Sequence, residues 1–172
     1  MRLAILSLLL VPAALTAQHS YNANGQFDPA VPTPSAVLGH AIGERFTPHH
    51  LIVRYAERLA AASRRIRVDT VARTFEGRES IMVVATSEAN QGRMAQNRAD
   101  ARRMGDAPAA SAGDVAAATG RMPSIAWLGY TVHGGEASGT EAALALMYQL
   151  AAGRDPETLR ILDSVVVLID PV

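Results

Sequence analysis

Two side chains with metal-binding chemistry, His133 and Glu136, are separated by two glycines. Imidazole nitrogen and carboxylate oxygen are both ligands that Zn²⁺ accepts in proteins. The pair follows an apolar segment and precedes a helical pattern, and in open α/β sheets ligands bind where strands give way to helices. We therefore predict that both residues are metal ligands. The spacing alone equally fits a hydrogen-bonded loop histidine beside a helix N-terminal carboxylate.

The other polar residues near this pattern have simpler interpretations. Glu141 follows Ser138 at the spacing of a capping box, which predicts a helix cap and not a metal ligand. His49 and His50 stand where a helix is expected to begin, so we predict that they are exposed. Arg78 lies in a glycine-containing turn and is predicted to be structural.

A βαβ unit is the element expected to position His133 and Glu136. Residues 123–132 are predicted to form a buried strand, and Gly134 and Gly135 would allow a tight turn after it. Helical patterns follow over residues 140–153 and 155–163. Five consecutive apolar residues, 165–169, then predict a strand covered on both faces.

Upstream of this unit, the sequence predicts a helix and an antiparallel hairpin. The helix covers residues 48–63, with Thr47 as its N-cap and Pro48 as its first residue. The hairpin joins residues 65–74 and 80–86 through a short loop that contains Gly77. The fold class is therefore α/β, with a mixed sheet of four strands. Because such a sheet would have an uncovered apolar edge, we expect the chain to be the N-terminal part of a longer protein.

The composition narrows the location and the possible partners. Residues 1–17 have the pattern of a signal peptide, which predicts a secreted protein, periplasmic or extracellular, without stable membrane association after cleavage. Residues 18–47 are predicted to be an extended lead-in, and residues 48–172 the domain. The net charge is zero, so no electrostatic feature favours nucleic acid. The absence of cysteine excludes disulfides and thiolate ligands.

Three segments together resemble the zinc carboxypeptidase family of metallopeptidases. Thr-Val-His-Gly-Gly-Glu at residues 131–136 is similar to its first zinc-binding segment, in which a strand ends in His-x-x-Glu before a helix. Glu-Gly-Arg at 76–78 is similar to its hairpin. Residues 165–171 look like the strand that leads into its Asn-Pro-Asp-Gly motif. The resemblance covers roughly residues 48–172.

The resemblance implies hydrolysis of peptide bonds in a peptide or protein substrate, with one zinc ion held by His133 and Glu136. In the family the third ligand is a later His and the general base a later Glu, so both are expected beyond residue 172. His40, His49 and His50 precede the motif and do not match that third ligand. No catalytic residue is therefore expected within this chain, which by itself should be inactive. Its substrate-binding residues and substrate preference are not predicted.

Two other functions are compatible with parts of this sequence pattern. An exported, non-catalytic binding domain could use the same scaffold. An α/β-hydrolase could use His-Gly-Gly at residues 133–135 as its oxyanion loop, but the Gly-x-Ser-x-Gly motif that such enzymes need does not occur.

Overall fold

A mixed four-stranded sheet with helices on both faces forms the centre of the protein. The computed structural model describes residues 25–105 and 110–172. The predicted signal peptide and the first part of the lead-in lie outside these residues. Within them the elements are α1 Pro34–Leu38, α2 His49–Ala62, β1 Ile66–Arg73, β2 Glu79–Ala85, α3 Glu88–Gly92, α4 Met94–Gly105, α5 Ala112–Thr119, β3 Ser124–Gly129, α6 Ala137–Ala152, α7 Pro156–Ser164 and β4 Val165–Asp170.

The strand order is β1-β2-β4-β3, and it confirms both predicted supersecondary units. β1 and β2 pair antiparallel as a hairpin, with Ile66 opposite Ala85. β3 and β4 pair parallel, with α6 and α7 between them in the chain. The two units are joined by antiparallel pairing of β2 with β4. The α/β class and the mixed sheet are as predicted.

The main core lies between one face of the sheet and helices α1, α2 and α6. Its side chains alternate along β2 and β4, because successive residues of a strand point to opposite faces. Helices α2 and α6 contribute apolar residues at helical spacing. The largest fully buried apolar side chains are Tyr55, Ile52, Leu59, Leu144, Met147, Leu162, Ile169 and Val83.

β3 is not buried as predicted, because it forms one edge of the sheet. Ile125 and Trp127 are 52% and 69% exposed. Trp127 pairs in register with Leu168 and therefore lies on the second face, which α4 covers only in part. A run of apolar residues indicates a strand suited to cover on both sides, but it does not specify which strand is central. β4 is one of the two inner strands, and its residues Val166, Val167 and Ile169 are buried as predicted.

The lead-in is more ordered than the predicted extended segment. Thr33 caps α1, with its hydroxyl accepting from Ala36 N at 3.4 Å. Val31 and Leu38 are buried in the main core. Gly39 ends α1 in the left-handed conformation, and the chain then passes along α6 before α2 begins. In the part of the chain that the structure describes, none of the helices is both long and apolar enough to cross a bilayer.

Candidate metal centre

The connection between β3 and α6, residues 131–136, carries both predicted metal ligands; we call it the β3–α6 turn. Tyr130 N donates to Asp170 O at 2.9 Å, which extends the pairing of β3 with β4 by one residue. The turn therefore leaves the sheet at the carboxyl end of two parallel strands. This is the edge at which open α/β sheets bind ligands, so the predicted position of the pair is correct.

The two side chains project from a short hydrogen-bonded turn. Glu136 N donates to His133 O at 2.9 Å, and His133 N donates to Glu136 Oε2 at 3.4 Å. Both residues are exposed. The second contact is long, so it constrains the Glu136 carboxylate only weakly. The imidazole and the carboxylate are thus close in the chain, accessible to solvent and not committed to the core.

The backbone strain in the turn falls on a threonine and not on the glycines. Thr131 has φ of 51°, the one positive value at a non-glycine residue among those described. Gly134 and Gly135 do not have positive φ, and a Cβ on either would meet nothing within 4 Å. The tight turn predicted at Gly134 and Gly135 is present, because Glu136 N donates to His133 O across them, but it uses no glycine-specific conformation. A left-handed conformation costs an L-residue about 1–2 kcal/mol, and a branched Cβ makes it rarer still.

Helix α6 holds Thr131 in this conformation through two close contacts. The Thr131 and Thr140 hydroxyl oxygens are 2.8 Å apart, and Thr140 is fully buried. Gly139 packs directly against the same residue, because a Cβ on it would lie 2.9 Å from Thr131 N. The Thr131 hydroxyl also lies 3.4 Å from Glu136 O. The start of the turn is therefore fastened to the first turn of the helix that follows it.

Glu141 does not cap α6, contrary to the prediction from its spacing. The N-cap residue is Glu136, and it makes no side-chain capping bond. The Glu141 carboxylate accepts from Thr47 Oγ1 at 2.6 Å, Thr47 N at 3.1 Å and Gly43 N at 3.0 Å. It is only 7% exposed. Three long-range donors replace the single local bond that a capping box would provide, so Glu141 ties the segment before α2 to α6.

Thr47 is consequently not the N-cap of α2. That position belongs to Pro48, which makes no side-chain capping bond, and the helix begins at His49. The Thr47 hydroxyl donates to Glu141 instead. The sequence predicted a cap because Thr47 directly precedes Pro48. The residue that the Thr47 hydroxyl contacts, Glu141, is 94 residues away in the chain.

The three upstream histidines lie in separate environments. His40 is buried, and its Nδ1 donates to Ala41 O at 3.0 Å. His49 is half-buried, not exposed as predicted, because its Nε2 donates to Glu79 O at 2.9 Å. His50 is exposed as predicted. Across residues 25–105 and 110–172, no three His, Asp or Glu side chains form a group that could hold a metal ion.

A cavity of about 510 Å³ lies beside the start of α6. The segment that Glu141 ties down forms one wall, with Ile42, Arg45 and Phe46. The other wall is α6 from Ala137, the residue that follows Glu136, to Ala145. The sequence did not identify this cavity, because its two walls are about a hundred residues apart.

The Asp170 carboxyl lies at the same edge of the sheet as the β3–α6 turn. Burial raises its pKa, and a hydrogen bond with the Val172 backbone opposes this effect. Asp170 is paired with Gly129 in the parallel ladder. A partly buried carboxyl with a raised pKa therefore lies at the edge of the sheet from which the β3–α6 turn leaves.

The β1–β2 turn, residues 74–78, lies at the same edge of the sheet because β2 runs antiparallel to β4, but its charges pair with each other. Thr74 N donates to Arg78 O at 2.8 Å, and Gly77 has φ of 80°. Arg78 Nη2 pairs with Glu76 Oε2 at 2.8 Å, with both side chains largely exposed. The predicted structural role of Arg78 agrees with this arrangement.

The donor chemistry of the β3–α6 turn suits a zinc ion. One imidazole and one carboxylate are available, and neither is used to stabilise the core. A catalytic zinc site needs three protein ligands and an open position for water. His133 and Glu136 therefore fit two of those three places.

The comparison with protein families gives an independent result. The family model described as zinc carboxypeptidase matches residues 52–172, which include the hairpin, the βαβ unit and the β3–α6 turn. No curated protein matches the chain. The family match covers well over half of the sequence and agrees with the fold. The chain belongs to the zinc carboxypeptidase family.

Proposed function

We propose that this chain supplies two ligands, His133 and Glu136, to the single zinc ion of a secreted metallocarboxypeptidase that hydrolyses peptide bonds. The observation that carries the proposal is the placement of both residues, exposed and within one hydrogen-bonded turn, at the carboxyl edge of the parallel strands. Membership of the zinc carboxypeptidase family supports the metal and the reaction class.

The roles of the two residues follow from their chemistry. Zinc, when bound, polarises a substrate carbonyl and lowers the pKa of water. His133 would present a neutral ring nitrogen and Glu136 a carboxylate oxygen, so neither would carry the proton of the reaction. The general base and the third ligand would be other residues. The substrate would be a peptide or protein, and the zero net charge gives no support for nucleic acid.

We expect this chain by itself to bind zinc weakly and to hydrolyse no peptide. Two ligands leave half of a tetrahedral coordination sphere to water, which lowers the affinity. Nanomolar zinc binding, or release of residues from a peptide by this chain alone, would contradict that expectation.

A metal titration tests the site. We expect Co²⁺ or Zn²⁺ binding, followed by calorimetry and by the Co²⁺ absorption spectrum, to be lost in His133→Ala and in Glu136→Gln. His50→Ala is the matched control, because His50 is an exposed histidine away from the turn. Equal binding by all four proteins would show that the metal is held elsewhere.

The proposed secretion has a separate test. Residues 1–17 have the pattern of a signal peptide, with an apolar run ended by Ala17 and Gln18. We expect the exported protein to begin at Gln18, as read by N-terminal sequencing or intact mass. Recovery of the uncleaved chain from the cytoplasm alone would contradict this.

A further inference from the structure

The strained residue of the β3–α6 turn has no role in the chemistry proposed above. Thr131 has a branched Cβ in the left-handed region and lies two residues before His133. Strained conformations persist only where the surrounding structure enforces them, and they concentrate at functional sites. Glycine would adopt this conformation without strain, so the presence of a threonine requires an explanation.

The explanation lies in what the hydroxyl contacts. Thr131 Oγ1 is 2.8 Å from Thr140 Oγ1 and 3.4 Å from Glu136 O. It therefore joins the start of the turn to the residue at its end and to the buried first turn of α6. A glycine at position 131 would have the backbone conformation but neither contact.

Gly139 adds an independent constraint on the same residue. A Cβ there would lie 2.8 Å from Thr131 Oγ1 and 2.9 Å from Thr131 N, closer than real Cβ contacts. Only glycine lets α6 approach Thr131 closely enough for the two hydroxyl groups to meet. The three residues thus form one contact unit, which we call the threonine lock: Thr131, Gly139 and Thr140.

We infer that the threonine lock is a positioning device that fixes the separation and orientation of His133 and Glu136; this rests on the proposed function of that pair. The lock fastens the chain just before His133 and just after Glu136. Between these points one close hydrogen bond, from Glu136 N to His133 O at 2.9 Å, sets the turn. His133 N donates to the Glu136 carboxylate only at 3.4 Å and neither glycine is packed, so the orientation of the turn depends on its two ends. Groups that orient metal ligands without touching the metal typically change affinity 10- to 100-fold when they are lost.

The test compares Thr140→Val, which removes the hydroxyl with little change of shape, with Thr140→Ser, which keeps it. Thr158→Val is the matched control. Thr158 is also a buried helical threonine, and its hydroxyl bonds to Asp155 and Gln149 at the far end of α6. Two properties are measured in each protein: Co²⁺ affinity, and the NMR order parameters of the Glu136 and Gly139 amides.

For Thr140→Val we expect metal affinity to fall about tenfold and the order parameters of the turn to fall by about 0.1 or more. Thr140→Ser should restore both values. Thr158→Val should lower the melting temperature but leave affinity within about twofold of wild type. If Thr140→Val and Thr158→Val lower the melting temperature alike and the turn and affinity do not change, the lock is only structural and the inference is wrong.

The two proposals can fail separately. If the wild-type chain binds no Co²⁺ at all, the proposed metal role fails. The order parameters still decide whether the lock fixes the turn, because they need no metal. Unchanged order parameters in Thr140→Val would overturn the lock whatever the metal titration shows.

Discussion

Two exposed turns that the structure describes, β1–β2 and β3–α6, have similar composition, but their charged and imidazole side chains make different contacts. Each contains glycine and a glutamate, with one basic or imidazole side chain nearby. In the β1–β2 turn, Arg78 pairs with Glu76, and the neighbouring Arg73 pairs with Glu79. In the β3–α6 turn the His133 and Glu136 side chains remain available to a ligand. The turn is ordered instead by the contacts of Thr131 with Gly139 and Thr140. Charges that pair with each other are less available to a ligand than charges that remain unpaired.

The largest effect should come from the buried Glu141 carboxylate, in the helix that follows the β3–α6 turn. In Glu141→Ala, three donors from Gly43 and Thr47 lose their acceptor in a buried place. We expect the free energy of unfolding to fall by about 3 kcal/mol in urea denaturation. Glu136→Ala is the control and should change it by less than about 0.5 kcal/mol. A loss below about 1 kcal/mol in Glu141→Ala would mean that water replaces the carboxylate.

A smaller loss of stability is expected for Gly139→Ala. The collision of the new Cβ with Thr131 lowers the stability, whereas the higher helix propensity of alanine raises it. Alanine is intrinsically better than glycine in a helix by about 1 kcal/mol. At Gly139 the new Cβ would collide with Thr131, so we expect a net loss of about 1–2 kcal/mol. Gly113, in the first turn of α5, is the matched control, because its Cβ would meet only Ser111 Oγ at 3.8 Å. Gly113→Ala should stabilise the protein, and thermal melts of both variants measure the contrast. Stabilisation by both substitutions would show that α6 can move away from the turn.

The pH dependence of stability should reveal the partly buried Asp170 carboxyl at the edge of the sheet from which the β3–α6 turn leaves. Burial raises the pKa of Asp170 in the folded state, so ionisation at neutral pH destabilises the fold. Asp170→Asn should therefore be more stable than wild type at pH 7. The difference should shrink as the pH falls through the folded-state pKa and vanish below the unfolded value of about 3.9, where both side chains are neutral. Urea denaturation between pH 7 and pH 3 measures this, and a difference that grows on acidification would contradict it.

The smallest effect should come from the charges of the β1–β2 turn. Glu76 and Arg78 are 69% and 61% exposed, so water and salt screen their attraction. We expect Glu76→Ala and Arg78→Ala each to change the free energy of unfolding by no more than about 0.5 kcal/mol. Neither should change Co²⁺ affinity. An effect of either variant on metal binding would place the hairpin at the site and remove the contrast between the two turns.

Local patterns in the sequence were sufficient for most of the elements and for the position of His133 and Glu136 between a strand and a helix. The hairpin, the βαβ unit and the position of His133 follow from hydrophobic periodicity and from turns that involve neighbouring residues. The exposure of β3 did not follow, because an edge strand and a central strand have the same apolar run. Glu141 was misassigned because its spacing from Ser138 fits a capping box, whereas its donors are far away in the chain. The strain at Thr131 had no sequence signal, since it depends on how closely α6 approaches.

Trp127 gives the site a built-in optical probe. It is the sole tryptophan of the chain and lies six residues before His133 on the exposed edge strand. Its indole is largely hydrated, so its fluorescence should be centred at the long-wavelength end of the tryptophan range. Any polypeptide that covers β3 would move this emission to shorter wavelength, and a bound Co²⁺ would shorten its lifetime. Both events could therefore be followed in the unlabelled protein.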